Sequence, residues 1–239
     1  MTANDVARAV REQLGLGRVL PLGGPTDGAW ITERAARTAL LRAPGAPPGI
    51  RLGTLRLSLA APDDAPAPTV PAPPSALPPG PLRIAADFAA PPGRPLPALT
   101  EQLRTALLTA AEEGLGLRVS AVDLRVSDLL DEAAEPTAAA PDATEGGHRA
   151  STGPGDAEDP EDLAARVLAV PGVAGLAPAL AGRSRPVARS GDGDHVLIQL
   201  ATAAGHRPLD VARAVRRAVT GQPPAPTTAA VLVTAVAGA

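Results

Sequence analysis

The sequence predicts an α+β fold of two tandem small domains, each a short sheet packed against helices. Three observations carry it: a strand-and-helix pattern that recurs after 112 positions, period-two alternation beside helical anchors four residues apart, and two stretches unsuited to a core.

The repeat is ungapped. Shifted by 112 positions, Ile84-Ala85-Ala86-Asp87-Phe88-Ala89 falls on Val196-Leu197-Ile198-Gln199-Leu200-Ala201, and Gly93 falls on Gly205. Leu82, Ile84, Ala86 and Phe88 point one way, as do Val196, Ile198 and Leu200, which leaves Asp87 and Gln199 on the opposite face. In the same register the anchors Leu99, Leu103 and Leu107 meet Val211, Val215 and Val219, a spacing that lines one helical face. Pro95 or Pro97 in one copy and Pro208 in the other suit a first helical turn, where a missing N–H costs nothing. Strands over 117–126 and 229–236 close the two copies. In the first of these the apolar phase slips between Val119 and Val122, which predicts a β-bulge.

Upstream, residues 161–170 form a helix that acids cap and Pro171-Gly172-Val173 ends. Two segments compete as its counterpart. Residues 31–42 are a helical run followed by Pro48-Gly49-Ile50 and an alternating strand over 51–59; residues 5–15 carry Val6, Val10 and Leu14 on one face. The former is favoured, with the N-terminal helix as an addition. Residues 61–81 are too proline-rich for helix or central strand and predict an extended, semi-rigid spacer. Residues 131–160 have the composition of an acidic disordered linker. The expected domains are therefore 1–130, with its insertion at 61–81, and 161–239.

Composition narrows the chemistry. Trp30 and Phe88 are the only aromatics, so Leu, Val, Ile and Ala must supply the core. Cysteine is absent, which excludes disulfides, thiolate catalysis and cysteine-ligated metals. No apolar run approaches the roughly 20 residues a bilayer needs, so no direct membrane insertion is expected and the location read is cytoplasmic. The formal charge of −3 conceals an uneven distribution: residues 131–162 hold ten acids against Arg149, and residues 61–81 hold two acids and no base. Removing both from 25 acids and 22 arginines leaves 13 acids and 21 arginines, a body of net +8.

The order helix, Pro-Gly-[Val/Ile], strand, strand, helix, and the closing run Gly116-Leu117-Arg118-Val119-Ser120-Ala121-Val122-Asp123-Leu124-Arg125-Val126 resemble the bacterial alkaline-shock, or Gls-type, envelope-stress-response family. The resemblance spans residues 31–130 and, more loosely, 161–236. Two departures stand out: the insertion between Leu59 and Leu82, and Gly221-Gln222-Pro223-Pro224 in place of the Gly-Leu-x-Val opening. The resemblance implies a non-enzymatic scaffold without cofactor, metal or small-molecule substrate. It would act at the envelope through a protein partner or self-association, itself remaining cytoplasmic or peripheral to the membrane through that partner.

Arg213, Arg216 and Arg217 lie opposite the Val211, Val215 and Val219 anchors and form the candidate binding face, beside Asp210. A solvated face is the commoner meaning of such a pattern. As a contact surface it would serve an alternative reading, a nucleic-acid or anionic-surface binder, which remains secondary because single-strand recognition uses aromatic platforms. An enzyme reading rests only on Asp192, Asp194 and His195, where a turn before the strand is favoured and the ligand count falls short of a calcium or zinc site. His148 and His206 have no sequence partners for metal or base chemistry, and Gly15-Leu16-Gly17 lacks the lysine of a phosphate loop.

Overall fold

The computed structural model describes residues 17–130, 160–178, 185–190, 194–221 and 226–238. The helix expected over 5–15 and nearly all of the 131–160 linker lie outside them. The fold is α+β with two sheets. In the smaller, β3 (Arg51–Leu59) runs antiparallel to β4 (Leu82–Ala90), and β5 (Val119–Leu129) runs parallel to β4. The larger has the order β1 (Val19–Pro21), β2 (Ala29–Thr32), β9 (Thr228–Val236), β8 (His195–Thr202), β6 (Val173–Leu176), and β7 (Val187–Ser190) also pairs with β8. The helices are α1 (Glu33–Leu41), α2 (Leu96–Thr109), α3 (Pro160–Leu168) and α4 (Pro208–Thr220), and a π-helical turn, Ala110–Leu115, extends α2.

The duplication is structural. Helices α2 and α4 begin at Leu96 and Pro208, 112 positions apart, and each connects two parallel strands. Leu99, Leu103 and Leu107 are buried in one copy, and Val211, Val215 and Val219 in the other. Gly93 and Gly205 both sit at φ 76°, a left-handed turn that glycine adopts without strain, directly before the helix entrances. Val122 pairs with Ile84 and Ala229 with Val196, so the closing strands are 107 apart. The π-helical turn, seen among the described residues in the first copy alone, and the bulge at the start of β5 lengthen the path from helix to strand there. The phase slip in that strand is a register shift between Leu82↔Val119 and Arg83↔Ala121.

The antiparallel neighbours also correspond. Leu52 faces Phe88 and, after a bulge, Leu55 faces Ala86; in the second copy Leu176 faces Leu200 and Val187 faces Ile198. Ten residues of sequence separate Leu176 from Val187 where the first copy has only Gly53 and Thr54 between Leu52 and Leu55, so β6 and β7 together correspond to β3. Before each of these strands comes a helix and a positive-φ glycine, Gly49 or Gly172, which identifies α1 as the counterpart of α3.

Two expectations need correction. The boundary at 131–160 does not separate the packing, because β2, from the first half of the chain, pairs in parallel with β9 through Ala29↔Val231, Trp30↔Leu232 and Ile31↔Val233. Helix α1 then packs on both β9 and β3, and one hydrophobic core joins residues of both halves. Residues 61–81 are not a free spacer but a strap over the far face of the larger sheet. Val70 is buried with Trp30, Ala230 and Leu232, the Leu77 N–H donates to Val19 O at 2.8 Å, and the Thr69 N–H donates to Pro25 O at 3.2 Å. A proline-rich chain suits that path, since it lies extended and has few N–H groups to satisfy. With both faces covered, Ala29-Trp30-Ile31 of β2 and the centre of β9 (Ala230-Val231-Leu232-Val233) read as continuous apolar runs. The smaller sheet keeps one open face, and β3 and β4 alternate accordingly.

Candidate functional site

The candidate arginines of α4 are mostly committed within the protein. Asp27, at the tip of the β1–β2 hairpin, accepts from Arg213 Nε at 2.8 Å and Arg213 Nη2 at 3.1 Å, and from the Gly24 N–H at 2.7 Å. Burial alone would push the Asp27 carboxyl up. The Arg213 bonds, the Gly24 N–H and the charges of Arg213 and Arg216 outweigh it and hold the group below its ordinary value. The same bond raises Arg213. Arg216 donates to Ala229 O at 2.8 Å and to Thr26 O at 2.9 Å, and also bonds Asp27 O, while burial lowers its pKa against the pull of Asp27. Gly28 is required there: it sits at φ +55°, and a Cβ would lie 2.9 Å from Arg216 Cζ. Two of the three candidate residues therefore clamp the hairpin to the second copy, and only Arg217 stays exposed on its own.

The histidine turn is also structural in its contacts. His195 Nδ1 lies 2.8 Å from Thr228 Oγ1, which couples the starts of β8 and β9, and burial lowers its pKa. Asp194 accepts from Thr227 Oγ1 at 3.4 Å, and Asp192 lies outside the described residues. Among the described residues no group of three or more His, Asp or Glu could hold a metal ion. None of the described helices is long and apolar enough to cross a membrane.

A different basic site emerges between α1 and β3. Thr32 caps α1 by accepting from the Ala35 N–H at 3.3 Å, which fixes the rotation of the helix. Ala35, Ala36 and Leu40 then face the core, while Arg34 and Arg37, three apart, share the exposed side. On β3, Leu55 and Leu57 point inward, so Arg56 between them points out. The three guanidinium-bearing residues line one groove of about 490 Å³ together with Thr38, Leu41 and Glu33. Glu33 does not neutralise them by contact. Its Oε1 accepts from the Leu57 N–H and its Oε2 from the Arg18 N–H, each at 3.2 Å, which ties α1 to β3 and to the residue preceding β1. Among the described residues, Arg34, Arg37 and Arg56 have no side-chain hydrogen bond or ion pair.

Sequence reasoning missed this site because its members come from separate elements, and only the packing of α1 on β3 brings them together. The available signal was the Arg34 and Arg37 spacing within a run already read as helical. No protein-family model, curated protein or solved structure matches the chain.

Proposed function

We propose that the protein is a non-enzymatic interaction protein, the scaffold role implied by its resemblance to envelope-stress proteins, and that its α1–β3 groove seats a carboxylate-rich segment of a protein partner. The carrying observation is the set Arg34, Arg37 and Arg56, three exposed arginines in one groove that, among the described residues, form no ion pair, the groove's own Glu33 being spent on backbone N–H groups. Guanidinium groups bind carboxylates through paired, charge-assisted hydrogen bonds, so a row of them favours an acidic peptide. Single-stranded nucleic acid is the poorer occupant. Trp30 is 1% exposed and Phe88 is 0% exposed, so neither of the chain's two aromatics can offer a stacking surface.

The test is titration of the full chain with a labelled poly-glutamate peptide, in parallel with a single-stranded oligonucleotide and anionic lipid vesicles. The reading expects salt-sensitive peptide binding that weakens by about tenfold or more when Arg34, Arg37 and Arg56 all become Gln, with Arg217→Gln neutral. Peptide binding indifferent to the triple change, or preference for the oligonucleotide or vesicles, overturns it.

A further inference from the structure

The two copies differ at one edge. In the larger sheet β9 is flanked by β2, with Ala29 opposite Val231. Val231 corresponds to Leu124, because their partners Ile198 and Ala86 are 112 apart. In the smaller sheet β5 is the last strand, and among the described residues nothing pairs with its outer edge. This strand is 11 residues long and carries two exposed apolar side chains, Val126 at 36% and Leu129 at 60%. A long, unpaired edge of that kind is a template for another strand.

We infer that β5 is a dimerisation edge, on which a second copy of this chain pairs antiparallel with Leu124 facing Leu124 of the partner subunit. The inference rests on the edge strand and is independent of what fills the α1–β3 groove. Three details select the occupant and the register. Arg104 Nε approaches Val122 O at 3.4 Å, so this carbonyl faces away from β4. By alternation the backbone groups of Val122, Leu124 and Val126 all face the free edge. Register shifts near Val119–Ala121 and near Val126–Asp128 interrupt the ladder at both ends, leaving residues 121–126 regular.

Charge then chooses among the registers. Pairing about position 123 would set Asp123 against its own copy, and pairing about position 125 would do the same to Arg125; like charges directly opposite are unfavourable. Pairing about Leu124 sets Asp123 against Arg125 of the partner subunit, twice by symmetry. It also places Val126 against the partner's Val122, which covers an exposed side chain. Within each copy Asp123 already pairs with Arg83 at 3.4 Å and Arg125 with Asp87 at 3.0 Å. The joined sheet would therefore carry alternating charge across four strands, with Arg104 turning off Val122 O to admit the partner.

Sedimentation equilibrium of the full chain tests this, with circular dichroism to confirm the fold of each variant. The wild type should dimerise. Asp123→Arg or Arg125→Asp alone should weaken the dimer about tenfold or more, and reversing the whole row (Arg83→Asp, Asp87→Arg, Asp123→Arg and Arg125→Asp together), which keeps both pairs within each copy, should restore it. Leu124→Pro should give a folded monomer, since its N–H faces the edge and not β4. A wild type that is monomeric at all concentrations, a dimer indifferent to these changes, or a folded fourfold reversal that stays monomeric overturns the inference.

Discussion

Arg213 on α4 grips Asp27 at the hairpin tip through two hydrogen bonds of 2.8 and 3.1 Å, joining residues 186 positions apart. That contact reinforces the β2–β9 pairing and the shared core, which keep the halves of the chain from packing as separate bodies. The hairpin must reach across to extend the β8–β9 sheet, and a charged pair fixes its tip. Removing either partner breaks the two-point bond, leaving Asp27 with the charge of Arg216 and Arg213 with Asp210 at 3.7 Å. Arg213→Ala or Asp27→Ala should therefore lower stability by about 1–2 kcal/mol, the double change adding little to either single one in a denaturant-unfolding cycle.

The pH dependence follows from the same pair. Asp27 in the fold lies below its ordinary 3.8, so its contribution is present above that value and is lost as pH falls through the folded pKa. His195 is held below its ordinary 6.5, so its share is complete above 6.5 and is lost as pH falls below it. Thermal unfolding between pH 8 and 3 should show both declines. Asp27→Asn should flatten the acid limb, and His195→Gln the one near neutrality.

The duplication requires equivalent anchors to carry comparable weight. Leu103 and Val215 are both 0% exposed and 112 positions apart. Leu103→Ala should cost about 3 kcal/mol and Val215→Ala about 2 kcal/mol, the difference following the volume deleted. Because one core joins both halves, each variant should still unfold in one cooperative step by calorimetry.

These anchors also mark how far the sequence is legible. Local periodicity revealed β4, β8, α2, α4 and the bulge in β5, because each pattern repeats within one element. The positions of the hairpin and the strap were hidden. Nothing near Trp30 states that its strand pairs with one some 200 residues later, and the proline content of 61–81 specifies extension without a destination. The same limit hid the groove. Arg213 and Arg216 looked free because their acceptors, Asp27 and the carbonyls of Thr26 and Ala229, are distant in sequence, whereas Arg34, Arg37 and Arg56 looked unrelated for the opposite reason.

The strap has its own signature. Val70 seals the far face of the larger sheet over Trp30 and Leu232. Val70→Asp would put a carboxylate on that apolar surface and should cost about 2–3 kcal/mol. It should also make residues 61–81 more sensitive to limited proteolysis than in the wild type, read by mass spectrometry of the fragments.

An acidic partner should bind at the α1–β3 groove and not along α4. Arginine Nε–Hε resonances, assigned by single substitutions, can be followed by NMR during titration with poly-glutamate. The signals of Arg34, Arg37 and Arg56 should shift together with a common saturation while those of Arg213 and Arg216 stay in place. Movement centred on α4, or no movement at the α1–β3 groove under saturating peptide, would contradict it.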